Sequence, residues 1–120
     1  FHLPTTVDKE PDYLKTVYVS SPFSGNVAVN IENTKRYCRF AVDHGYMPVA
    51  SHLLYPQFMD DATERDVAMH MSLVLMGKCE EVWVVGETIT QGMAVEIEQA
   101  KYWKKHIRYF DEEMKEVSNA

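Results

Sequence analysis

The chain has 120 residues, the size of one domain. Its 12 basic and 18 acidic side chains leave a formal charge of −6, which argues against a binder of nucleic-acid polymers or of an anionic membrane surface. Apolar residues make up 46% and charged residues 25%, ordinary globular usage that excludes disordered, collagenous and coiled-coil classes. The longest apolar stretches, residues 71–76 and 82–85, are core-sized and far short of the roughly 18 needed to cross a bilayer. Cys38 and Cys79 lie far apart and form no metal-type pair; they read as small buried hydrophobes in a cytoplasmic protein.

Residues 1–15 are polar, carry Pro4 and Pro11, and read as an N-terminal arm. Residues 16–20 form a β-branched and aromatic run, a strand that breaks into Ser21-Pro22-Phe23-Ser24-Gly25-Asn26. Ile31, Thr34, Cys38, Ala41 and Val42 then recur at helical spacing, with Asn26 or Asn30 as cap and Gly45 as stop. Residues 46–50 read as a second strand, and Pro48 places it at an edge or at its own start. Residues 51–62 form a long loop, of the kind that serves as a lid or an interface arm. Thr63 can cap a helix to about residue 78, with Glu64 and Asp66 near its start. Residues 81–86 are nearly continuous in apolar content, as in a strand covered on both faces. After a polar loop, Gly92 or Met93 opens a helix to about residue 105. Residues 106–110 are the last strand, and 111–120 a charged tail with helical potential. Alternation of this kind predicts one α/β domain over 1–120, a parallel sheet of four to five strands with helices on both faces. Ligands then belong at the carboxyl ends of the strands, in the segments 20–26, 51–61 and 86–96.

Several chemistries fail on motif grounds. No G-x-G-x-x-G follows the first strand, and neither a P-loop nor a G-x-S-x-G elbow is present. His2, His44, His52, His70 and His106 form no H-x-x-x-H pair, and Asp66 with His70 reads as an ordinary surface i,i+4 pair. Carboxylates and hydroxyls remain. Glu96 stands about one turn into the helix after the best strand, and Asp66 occupies a similar place on the middle helix. Each can face a cleft or simply complement its helix dipole. With Tyr18 on the first strand they make a set able to break a glycosidic bond.

Val17-Tyr18-Val19-Ser20-Ser21-Pro22-Phe23, Glu64-Arg65-Asp66, Val82-Trp83-Val84-Val85-Gly86 and the run Gly92-Met93-Ala94-Val95-Glu96-Ile97-Glu98-Gln99-Ala100 resemble the nucleoside 2-deoxyribosyltransferase superfamily. That superfamily includes the 2′-deoxynucleoside 5′-monophosphate N-glycosidases, and the likeness is greatest to a small uncharacterised bacterial and phage branch. The resemblance implies a three-layer flavodoxin-like or Rossmann-like fold. It implies Glu96 as the nucleophile on the anomeric carbon, Tyr18 as the residue holding it, and Asp66 as the partner of the sugar or leaving base. Ser21, Phe23, Ser24, Gly25 and Asn26 fall to the sugar or a 5′-phosphate; Ser20, Gly86, Gly92 and Met93 complete the candidate binding set. Thr90 stands where the transferases carry an aspartate and where the monophosphate N-glycosidases carry a hydroxyl. The first loop is poorer in arginine and glycine than theirs, and His52, typical of the uncharacterised branch, is placed to touch a ligand.

The expected function is therefore an N-glycosidase or deoxyribosyl transferase, acting on a small nucleoside or nucleotide through a glycosyl-Glu96 intermediate, without metal or cofactor. The alternative is a non-catalytic nucleotide-binding module using the same cleft. A homo-oligomer is expected, in keeping with the superfamily and with Trp83, Tyr102 and Trp103. Glu96 is expected to titrate low, helped by its helix N-terminus and by Tyr18.

Overall fold

A computed structural model of the chain describes residues 13–118. The expected arm therefore lies, apart from its last three residues, outside the described segment. The elements run β1 (Lys15–Ser20), α1 (Val27–Asp43), β2 (Tyr46–Val49), two short 3₁₀ turns (Ser51–Leu53 and Tyr55–Gln57), α2 (Asp61–Gly77), β3 (Glu81–Val85), α3 (Gln91–Tyr102), β4 (His106–Phe110) and β5 (Glu116–Val117). They form one five-stranded sheet in the order β2-β1-β3-β4-β5. Only β5 runs antiparallel, against β4. This is the flavodoxin-like order, whose switch point lies between β1 and β3.

Side-chain alternation sorts the core into two layers. Val17, Val19, Trp83, Val85 and Phe110 pack with Tyr37 and Ala41 of α1 on one face. Tyr18, Val82 and Val84 pack with Met76 of α2 and with Met93, Ile97 and Ala100 of α3 on the other. All five residues of β3 are buried, so its unbroken apolar pattern has helices on both sides to satisfy it. β2 is an edge strand, one of the two positions that Pro48 allows, and Gly45, at φ +84°, makes the left-handed turn that ends α1.

Three boundaries differ from expectation. Asp60, not Thr63, caps α2: its carboxylate accepts the Ala62 N–H at 3.0 Å, and Glu64 accepts the Asp60 N–H at 2.9 Å. This reciprocal pairing satisfies more orphan amides than Thr63 alone could. α3 stops at Tyr102, before the left-handed Lys104 at φ +57°. The charged tail is not helical over its described part. It turns at Met114, φ 62°, and returns as β5, where Glu116 forks onto Arg108 with both contacts at 2.9 Å. Pairing with the exposed edge of β4 supplies what the polar tail lacks locally.

Below the sheet's carboxyl edge, at the start of β3, sits a buried anion. Glu81 is 4% exposed and accepts the Trp83 indole N–H at 2.9 Å and the Lys15 ammonium at 3.2 Å, with Arg108 at 3.6 Å. Burial alone would raise its carboxyl; the indole and Lys15 outweigh it and hold the group below its ordinary 4.5. Its contribution to stability is thus present above the ordinary carboxylate range and fades as pH falls through the folded value. Glu81→Gln should cost about 2 kcal/mol at neutral pH, the worth of charge-assisted hydrogen bonds. In urea titrations at neutral and acid pH, the gap between the two proteins should narrow below about pH 4.

Candidate active site

The cleft opens where the topology requires, beside the carboxyl ends of β1 and β3. It holds about 270 Å³. Phe23 and Ser24 form one wall from the β1–α1 loop; Ser51, His52, Tyr55 and Met59 form a second from the 3₁₀ turns. Asp66, Met69 and Ser72 of α2 face Thr90, Gly92, Met93 and Glu96 at the start of α3.

Glu96 is the buried acid of this cleft, only 3% exposed. Its two carboxylate oxygens are held separately by β1. Ser20 donates to Oε1 at 2.7 Å, and the Tyr18 phenol donates to Oε2. Alternation along the strand points Tyr18 and Ser20 to the same face, toward α3. The Ser51 hydroxyl lies 2.9 Å from the Tyr18 oxygen. A phenol has one proton, and Glu96 receives it, so Ser51 is the donor in that contact. Burial, followed by the charge of Glu96, pushes the Tyr18 phenol well above its ordinary 10.0 and keeps it a donor.

The expected low titration of Glu96 is reversed. Burial raises the carboxyl above its ordinary 4.5, against the hydrogen bonds from Tyr18 and Ser20. Loss of hydration outweighs two donors, because the low-dielectric surroundings penalise the whole charge.

The other candidates divide. Asp66 is exposed and shares the cleft with Glu96; Phe23, Ser24, His52, Thr90, Gly92 and Met93 line it too. Ser20, Ser21, Gly25, Asn26 and Gly86 do not. Ser20 is spent on Glu96. Ser21 is buried, with its hydroxyl 2.9 Å from Thr34. Asn26 accepts the Val29 N–H at 3.3 Å as the cap of α1, while Asn30 ties the loop carbonyls of Phe23 and Ser24. Gly25 and Gly86, at φ +98° and +110°, turn the chain; a Cβ on Gly86 would also come within 3.7 Å of the Pro22 ring. Thr90 caps α3 through the Met93 N–H at 3.2 Å as well as facing the cleft. At Gly92 a Cβ would meet the Met69 methyl of α2 at 3.3 Å, a tight contact with the end of a flexible side chain.

His52 bridges two walls. Its Nε2 lies 2.8 Å from the Ser21 carbonyl, and its ring stacks on Phe23 at 4.8 Å. A carbonyl only accepts, so Nε2 carries the proton. Burial lowers its pKa and favours the neutral ring. Ser51, Tyr55, Met59 and Ser72 also line the cleft. The segment 51–61 is expected beside the cleft with His52 or Tyr55 toward the ligand, and both line it; Ser51 is singled out by packing alone.

Residues 15–110 match the model of a domain of unknown function, DUF7768. The chain belongs to the DUF7768 family. Among curated proteins none matches. Among solved structures, the chain is similar to the 2-deoxyribosyltransferase of the psychrotolerant bacterium Bacillus psychrosaccharolyticus, with a TM-score of 0.63 and 16% identity. The match covers 87% of this chain and 77% of that one. The similarity is one of fold: a five-stranded, mostly parallel sheet flanked by helices. That protein is described as a biocatalyst for the synthesis of antiviral and antitumoral nucleosides.

Removing either donor to Glu96 should push its carboxyl further up. Tyr18→Phe and Ser20→Ala, followed by carbon NMR of the glutamate carboxyls against pH, should each move the most shifted resonance to a higher midpoint. An unmoved midpoint in both variants would show that the two contacts are not formed in solution.

Proposed function

We propose that this DUF7768 protein cleaves the N-glycosidic bond of a small nucleoside or nucleotide, as an N-glycosidase or a deoxyribosyl transferase. The observation that carries the proposal is a single buried carboxylate at the floor of the cleft, aimed by one donor on each oxygen. The likeness in fold to a 2-deoxyribosyltransferase supports it. In the first step a Glu96 oxygen forms a bond to the anomeric carbon as the bond to the base breaks. The electron pair of that bond leaves on the base nitrogen, which takes a proton from Asp66 or from water. Water or the nitrogen of a second base then bonds to the anomeric carbon as the bond to Glu96 breaks and its carboxylate is restored, and the proton lost by the attacking group returns to Asp66 or to solvent. Tyr18, kept protonated, steadies the carboxylate and does not itself gain or lose a proton.

A nucleophile must be ionised, and burial raises Glu96. The acid limb of the rate should therefore lie above the ordinary carboxylate range. Glu96→Gln keeps shape and removes the attacking charge, so base release should fall by on the order of 10³-fold or more with ligand affinity largely kept. Tyr18→Phe should cost less. The measurement is free base released from a panel of deoxynucleosides and their monophosphates. Equal rates in Glu96→Gln and the native protein would defeat the mechanism. No release by either, with equal binding of one nucleotide, would favour the binding-module alternative. Tyr102, 80% exposed on α3, supports assembly into a homo-oligomer, which light scattering would test.

A further inference from the structure

We infer that the cleft selects an uncharged nucleoside and disfavours the corresponding 5′-monophosphate. The inference rests on the glycosidase reading and adds the charge of the substrate. It comes from the charges that line the cleft.

Four carboxylates line the cavity: Asp60, Asp61, Asp66 and Glu96. Among the described residues the one lining side chain with a permanent positive charge is Arg65, and Asp61 holds it at 3.0 Å. His52 faces the same space but is kept neutral by burial. The β1–α1 loop adds no cation, since neither Lys nor Arg occurs between Lys15 and Lys35. A phosphate carries between one and two negative charges at neutral pH and would meet an excess of like charge.

Backbone amides are the other means of holding a phosphate, and three helices begin around the cleft. Each spends part of its leading donors on its own cap. At α1 the Val27 N–H goes to the Gly25 carbonyl at 3.1 Å and the Val29 N–H to Asn26. At α2 the Ala62 N–H goes to Asp60, and the Asp60 N–H to Glu64. At α3 the Met93 N–H goes to Thr90. The positive end of α2 is further offset by Asp61 and Glu64 in its first turn. A hydroxyl-rich sugar with an amino-bearing base suits this cavity instead. The carboxyl oxygens along its wall accept hydrogen bonds, and such a ligand donates them.

The test is calorimetric titration of the full chain carrying Glu96→Gln, which blocks turnover. The probes are 2′-deoxyadenosine and 2′-deoxyadenosine 5′-monophosphate, each at low and high salt. The nucleoside should bind at least about tenfold more tightly at low salt. The gap should shrink at high salt, because screening relieves repulsion and leaves a neutral ligand unaffected. Asp61→Asn removes one negative charge and frees Arg65. It should narrow the gap by raising affinity for the monophosphate more than for the nucleoside. Equal or tighter binding of the monophosphate at low salt would overturn the charge selection and leave the glycosidase reading standing. Failure of both probes to bind, in the native chain as in Glu96→Gln, would overturn the two together.

Discussion

Holding one carboxylate out of water is the constraint around which the upper half of this domain is arranged. Glu96 is buried between β1 and α3, where an unpaired acid would be costly. β1 meets that cost with two side chains two residues apart, Tyr18 and Ser20, one for each oxygen. Neither can shift register without turning its side chain to the other face of the sheet. The demand passes outward. Tyr18 is itself buried and takes its second partner from Ser51, just beyond β2, so two neighbouring segments of the sheet edge answer to a single acid.

The outer walls show the same economy in backbone donors. Asn26, Asp60 and Thr90 cap the three helices that begin at the cleft, and each does so with its own side chain. Capping of this kind fixes where a helix starts and satisfies one of the amides of its first turn. Rigidity at the rim follows from contacts between walls. His52 ties the 3₁₀ turns to the Ser21 carbonyl, and the Met69 methyl of α2 lies against Gly92 of α3. On α2 and its cap, Asp60, Asp61 and Asp66 are exposed at the cleft, in reach of solvent.

The opposite end of the sheet serves stability rather than chemistry. Glu81 is as buried as Glu96 but is surrounded by cations and an indole N–H, and its carboxyl is held low. The two glutamates have similar exposure and opposite shifts. At Glu81 the Trp83 indole N–H and then Lys15 outweigh burial, whereas at Glu96 burial outweighs its two donors. Glu81 has Lys15 and Arg108 beside it; the partners of Glu96 are neutral hydroxyls.

Much of this was present in the sequence as local pattern. The alternation of strand and helix, the doubly covered strand expected at 81–86, the stop at Gly45 and the edge position, one of two that Pro48 allows, depend on residue types within a few positions of one another, and all appear in the structure, the strand ending one residue earlier. The motif around Gly92 and Glu96 likewise marked the start of α3. Tertiary structure decided the rest. Thr63 was the expected cap of α2, and Asp60 holds that place because its N–H pairs with Glu64 once the 3₁₀ turns have delivered the chain. The tail became a strand because β4 offered it an edge. Of the loop residues, Phe23 and Ser24 reached the cleft while Ser21, Gly25 and Asn26 served the backbone, a difference of one or two positions that periodicity cannot resolve. Ser51 carries no local signal at all. The direction in which Glu96 titrates was misjudged from its helix position because dipole and hydrogen bond are near-neighbour effects. Burial is a sum over side chains from β1, α2 and α3, and only folding brings them together.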